Sequence, residues 1–292
     1  MRRQFKNTIM DLAVDDDSIL LIFGDVSVYL FNNFQLKYPD RFYNMGICEN
    51  TLISVGAGLK TQGFTPFVHT IAPFITERSY EQIKLDVCYN QFPINIVSCG
   101  ASFDYAWDGA THHCYTDLAI LRLLPNMEVL QPGSKKELDY LMRTQYNNDT
   151  ATYFRLSDHP HDIDVSVEFG KGVVLKDVHS KLTVMTAGPI LQNVYEAVKD
   201  LHVNLVYFHT IKPIDKELIE KYRNTEIVVV QDAFGLYESI SDVPNLNISS
   251  YGMHDCFCCC YGTLTQIREN LGLDISSLRN LLQKKHRTTQ TK

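Results

Sequence analysis

No apolar run in this sequence approaches the roughly 20 residues that a membrane-spanning helix requires, so a helical membrane protein is not expected. The opening segment, MRRQFKNTIMDLAVDDD, starts basic but never develops the apolar stretch of a secretion signal. A cytoplasmic location is therefore expected. Positive charge is scarce too: 27 Lys and Arg against 34 Asp and Glu leave a net charge of -7. Nucleic acids need a broad basic field, and neither DNA nor RNA is expected as a partner. Low-complexity tracts and repeats of fixed period are absent, which argues against disordered and solenoid architectures.

Zinc-site spacing is missing as well. The chain has 8 cysteines and no secretory leader, so reduced thiols are expected rather than a disulfide framework. Cys256, Cys258, Cys259 and Cys260 follow His254, and soft ligands this close raise the question of zinc. A structural zinc site draws ligand pairs from two separate knuckles, whereas adjacent residues on a strand face opposite ways. The patch reads instead as a buried strand of small apolar side chains, and no metal ligands are expected from this chain.

What is present is the composition of an ordinary globular protein, 45% hydrophobic and 21% charged over 292 residues, a length that favours two domains. Short apolar runs alternate with amphipathic stretches, the pattern of parallel sheets covered by helices, so the fold class is α/β with two three-layer α/β domains. Strands are predicted at Ile19 to Phe23, Thr65 to Thr70, Ile94 to Cys99, Glu128 to Gln131 and Thr152 to Arg155, with helices at Ser79 to Tyr89 and Lys135 to Tyr146. A segment rich in Asp and His, without periodicity and containing a proline, then reads as a linker. The boundaries are a first domain over 1–160, a linker over 161–169 and a smaller second domain over 170–292. In the latter, strands are predicted at Leu182 to Thr186, Asn204 to Tyr207 and Glu226 to Val230, with helices at Ile190 to Leu201 and Ile214 to Tyr222.

Two stretches carry candidate chemistry. In NMGICENTLISVGAGL a tight turn leads into a helix with Glu49 in its first turn, where an acidic residue already suits the helix dipole. Gly56 and Gly58 cost that helix stability, which suggests close packing by a ligand or another backbone. The second stretch, DYAWDGATHH, follows the strand ending at Cys99 and brings Asp108, His112 and His113 to the carboxyl end of a sheet. Ligands of open α/β sheets bind there, although a polar loop held by its own turns explains the composition equally well.

GICENTLISVGAGLK, TIAPFITERSYEQIK and WDGATHHCYTDLAILRLLPNMEVLQPGSKKEL occur in the order and spacing of the transketolase family. The chain resembles the C-terminal section of such enzymes: a pyrimidine-binding domain, then, with TIKPID at Thr210 to Asp215, a transketolase C-terminal domain. The resemblance implies thiamine diphosphate as cofactor, with Glu49 as the catalytic glutamate on its aminopyrimidine ring. That role requires a carboxyl group able to hold a proton near neutral pH, so Glu49 is expected to be buried with a raised pKa. Phe74 matches the aromatic residue stacked on the pyrimidine, Asp25 an aspartate near the cofactor across a dimer interface, and Arg78 a residue lining the same pocket. His112 and Asp108 match the pair that contacts the reacting carbonyl oxygen and the sugar hydroxyl. Arg155 and Arg3 match arginines that bind an acceptor phosphate.

Two departures alter the implied substrate pocket. Gly100 stands where many transketolases have a histidine, and Trp107 replaces a small or acidic residue just before Asp108. The GDG motif that holds the diphosphate through Mg²⁺ does not occur here, so an N-terminal transketolase-like partner subunit is expected to supply it, in an α2β2 assembly built on a homodimer core. The expected activity is transfer of a two-carbon ketol unit from a ketose-type donor to an aldehyde or keto-sugar acceptor, with the altered pocket suggesting specialised carbohydrate synthesis. A β subunit of a 2-oxoacid dehydrogenase or decarboxylase, and a non-catalytic assembly subunit of the same fold, are the alternatives.

Overall fold

The computed structural model describes residues 1–290. Its first sheet is built on strands β1 (Ile19–Phe23), β2 (Phe42–Asn44), β3 (Thr65–Ile71), β4 (Asn95–Cys99), β5 (Met127–Leu130) and β6 (Ala151–Arg155). All pair in parallel, β1 with both β2 and β3, β4 with β3 and β6, and β5 with β6. Parallel strands covered on both faces read as continuous apolar runs, which is why ILLIF at β1 is buried throughout. The two faces separate by alternation. Leu20, Ile22, Val68 and Ile96 face one layer with Leu52, Ile53, Ile83 and Leu121, while Leu21, Phe23, Phe67 and Phe154 face the other with Phe5, Ile9, Leu138 and Leu141.

The second sheet holds β7 (Val173–Lys176), β8 (Leu182–Ala187), β9 (Asn204–Phe208), β11 (Glu226–Gln231) and β12 (Asn247–Gly252), in the order β12-β11-β8-β9-β7. Between β9 and β11, the short strand β10 (Thr210–Lys212) leaves this sheet and pairs antiparallel with β5 in the first. The TIKPID segment therefore stitches the two sheets together, and one apolar cluster runs from Leu121 and Met127 to Met185, Ile227 and Leu236.

Four strands escaped the sequence reading, β2, β7, β10 and β12. All four are edge strands; β2 and β10 are three residues each, too short to show a period, and NISSYG at β12 is mainly polar. The amphipathic stretch near Ser79 to Tyr89 is wound in two ways, one α turn at Tyr80–Gln82 and π-type winding over Ile83–Tyr89. The reading of the cysteine patch as a buried strand is overturned. After Gly252 the chain runs irregularly until the helix Leu264–Asn270, with Cys256 and Cys259 exposed and Cys258 alone buried, against Phe103, Ala106 and Ile267. Among the described residues no helix is long and apolar enough to cross a membrane.

Candidate active site

In the first sheet β1 connects to β2 on one side and then to β3 on the other, so the strand order reverses between β1 and β3. Open α/β sheets bind ligands in the crevice beyond such a reversal. The segments leaving β1, β2, β3 and β4 carry Asp25, Glu49, Phe74 and Asp108 with His112, respectively. Four predicted site segments thus meet at one end of one sheet.

Glu49 opens the helix Glu49–Lys60 and is 2% exposed. Its Oε2 accepts a hydrogen bond from Arg78 Nη1 at 2.8 Å. Burial is as expected for the catalytic role, but a guanidinium on the carboxylate was not anticipated. Gly56 lets this helix approach β3, since a Cβ there would meet Val68 Cγ2 at 2.9 Å, whereas Gly58 faces open space. Phe74 lies half-buried in the helix Ala72–Thr76, with the Arg78 guanidinium 4.5 Å from its ring centroid and the His112 ring edge-on at 5.2 Å. Asp25 is exposed in a left-handed conformation, φ 68°, where Asn44 Oδ1 accepts from its N–H at 2.9 Å and ties the ends of β1 and β2 together.

The loop after β4 closes at its neck, where Ser102 and Cys114 exchange both backbone hydrogen bonds at 2.9 and 2.8 Å. Asp108 and Trp107 are exposed at its tip, and His112 is half-buried with Nδ1 2.9 Å from Thr111 Oγ1. Gly100 leaves room for the Tyr105 ring, which a Cβ would meet at 2.4 Å, so an aromatic wall of Tyr105 and Trp107 stands beside His112. From the irregular segment after β12 the Tyr261 ring covers Gly109, again with no space for a Cβ.

Arg155 does not serve the predicted phosphate-binding role. It is 1% exposed, and its guanidinium is committed to Asp117 Oδ2 at 2.7 Å, Ser102 Oγ at 3.1 Å and the Cys114 carbonyl at 2.7 Å. A fork with each nitrogen bonded internally clamps the loop neck and presents nothing to a ligand. Arg3 is exposed on the helix Arg2–Asp15, while its neighbour Arg2 makes a bidentate pair with Asp158 at 3.1 and 2.8 Å.

Asp104, in the same loop, is buried and was not singled out from the sequence, because nothing in its spacing distinguishes it from other polar loop residues. Its carboxylate accepts from Ser157 Oγ at 2.9 Å and Asp158 N at 2.8 Å. Burial nonetheless pushes its pKa up to about 7. The folded chain holds this proton more tightly than the unfolded chain, whose carboxyl titrates near about 4. Its stabilising contribution is therefore full below about pH 4 and lost as pH rises through 7. Urea denaturation of the chain from pH 5 to 8 should show stability falling with pH, by at most about 1.4 kcal/mol per pH unit from this group. In Asp104→Asn the slope should flatten. Parallel curves for the two proteins would remove Asp104 from the account.

A buried carboxylate, an aromatic face and an imidazole gathered at the switch point of this sheet make it an α/β domain with a candidate ligand site. Residues 1–159 match the family model described as transketolase, pyrimidine binding domain, and the chain belongs to the transketolase family. It is 30% identical over 80% of its length to 77% of a protein of Methanocaldococcus jannaschii provisionally named transketolase C-terminal section. It is also 30% identical, over 75% of its length and 74% of the relative's, to one of the subunits of the apulose-4-phosphate transketolase of Phocaeicola vulgatus. The 1-deoxy-D-xylulose-5-phosphate synthase of Aromatoleum aromaticum is 27% identical over 92% of the chain, which spans 46% of that enzyme. A solved structure described as a split-gene transketolase in an inactive β4 tetramer superposes with a TM-score of 0.84 at 27% identity, covering 97% of both chains.

The residues present fit one half of a thiamine diphosphate site. A carboxylate buried at 2% exposure beside an aromatic ring suits an aminopyrimidine, which offers a flat face and nitrogen donors. Among the described residues no group of three or more His, Cys, Asp or Glu is placed to hold a metal ion.

Proposed function

We propose that this chain is the C-terminal subunit of a split thiamine-diphosphate-dependent transketolase, which transfers a two-carbon ketol unit from a ketose-type donor to an aldehyde or keto-sugar acceptor. The observation that carries the reading is the convergence of Glu49, Phe74 and His112 at the switch point of the matched domain. Bound there, the cofactor supplies a carbon nucleophile and an electron sink for breaking and making a carbon–carbon bond.

The chain's own residues do the rest. Glu49 holds or gives up a proton at a ring nitrogen of the pyrimidine, shielded from water by its burial. Phe74 supplies the flat apolar face. His112, half-buried at the site's rim, donates to the reacting carbonyl oxygen, and the exposed Asp108 accepts from a substrate hydroxyl. Asp25, exposed at the end of β1 and held by Asn44 Nδ2 at 3.2 Å from Oδ1, meets the cofactor across an interface between copies of the chain in this reading. Tyr105 and Trp107 narrow the entrance and favour a substrate with an apolar or branched face over a simple polyhydroxylated chain.

The diphosphate and Mg²⁺ belong in this reading to an N-terminal partner subunit, in an α2β2 assembly. A relative named as one subunit of a transketolase and another named as a C-terminal section support a divided enzyme. Calorimetric titration of thiamine diphosphate with Mg²⁺ should give saturable binding to the mixture of this chain with its N-terminal partner and none to the chain alone. Tight binding to the chain alone would mean a self-contained site. Release of CO₂ from pyruvate by the reconstituted complex, with no ketol transfer, would favour the 2-oxoacid reading instead.

A further inference from the structure

We infer that the Arg78 guanidinium is a built-in occupant of the aminopyrimidine subsite, which the cofactor must displace to bind. The inference rests on the assignment of Glu49 and Phe74 to that subsite. A pyrimidine seated there needs a flat group over Phe74 and a nitrogen donor on the Glu49 carboxylate. Arg78 already provides both, with its guanidinium carbon 4.5 Å from the ring centroid and Nη1 2.8 Å from Oε2. A guanidinium is planar, cationic and rich in N–H donors, so it satisfies a carboxylate and a ring face in the way an aminopyrimidine would. Where the two groups seek the same carboxylate and the same ring, they compete.

Two further features fit an occupant that leaves. The Arg78 side chain is 47% exposed, so it can swing into solvent without disturbing the core, whereas the Glu49 side chain is 3% exposed and cannot follow. The backbone beneath Arg78 is independently held. Its N–H donates to the Pro73 carbonyl, and its own carbonyl accepts from Asn50 Nδ2 at 3.1 Å. A buried carboxylate without a partner is costly, and Arg78 satisfies it in the cofactor-free chain. The apparent affinity for cofactor is then reduced by the fraction of molecules in which the arginine has swung out.

The test measures thiamine diphosphate binding with Mg²⁺ by calorimetry, in the assembly with the partner subunit, for the wild type, Arg78→Ala and Arg78→Lys. Removing the occupant should tighten the dissociation constant by about tenfold, the reciprocal of a one-in-ten open fraction. Lysine keeps the charge but loses the flat face, so it should fall between wild type and alanine. Unchanged or weaker binding in Arg78→Ala overturns the inference, and if that variant does not assemble, the lysine variant decides by the same criterion. Adding Glu49→Gln to the Arg78→Ala background tests the underlying assignment separately, because no arginine competes there. Weakened binding in the double variant upholds the assignment whatever Arg78 does, and unchanged binding removes both.

Discussion

Glu49→Gln in the reconstituted enzyme is expected to lower turnover by about 10²- to 10⁴-fold, the range of a lost general acid–base group, with folding and assembly retained. Glutamine has the shape of glutamate and its carbonyl oxygen still accepts from Arg78 Nη1, so no cavity opens at a position 2% exposed. What disappears is the ability to exchange a proton with a ring nitrogen. Loss of the ion pair should cost folding little, since Arg78 is 47% exposed and solvent screens its charge. Steady-state rates with a ketose-type donor, beside thermal melts of the same preparations, separate chemistry from folding. Wild-type turnover in Glu49→Gln would remove Glu49 from the catalytic role.

The first sheet was readable because its strands are buried on both faces: ILLIF at β1 and NIVSC at β4 are apolar or small almost throughout, and β3, β5 and β6 follow similar runs. β10 was not, since three residues of TIKPID carry no period and only their pairing with β5 makes them a strand. In the site, Glu49 and Phe74 were found through long motifs, and their neighbourhood to each other follows from the order of β2 and β3 around β1. The motifs could not say which arginine faces a ligand. Arg155 ends an apolar strand, a pattern shared by ligand-binding and buried residues alike. Its burial is decided by Asp117, 38 residues away in sequence, whose carboxylate sits 2.7 Å from Nε. The cysteine patch failed for a related reason: Cys258 packs against Phe103 and Ile267, but its neighbours Cys256 and Cys259 meet solvent, so composition alone overstated the burial.

Arg155→Met should destabilise the chain by about 3–5 kcal/mol, the cost of breaking a buried ion pair from one side, and disturb catalysis through the loop it holds. Asp117 is fully buried, and its Oδ2 receives both Arg155 Nε at 2.7 Å and Tyr153 Oη at 2.6 Å. Methionine fills part of the volume but leaves that carboxylate with only the tyrosine. The Ser102 hydroxyl and the Cys114 carbonyl lose their guanidinium partner at the same time, so the neck of the loop bearing Asp108 and His112 loosens. Asp117→Asn added to Arg155→Met should recover part of the loss, because a buried amide costs less than an unpaired buried charge. Urea denaturation of the single and double variants measures the stability. A split in which KM for the sugar donor rises while thiamine diphosphate affinity holds would place the catalytic damage in the loop rather than at Glu49. If Arg155→Met lies within about 1 kcal/mol of wild type, below the range for a broken buried pair, the clamp is not what holds the loop.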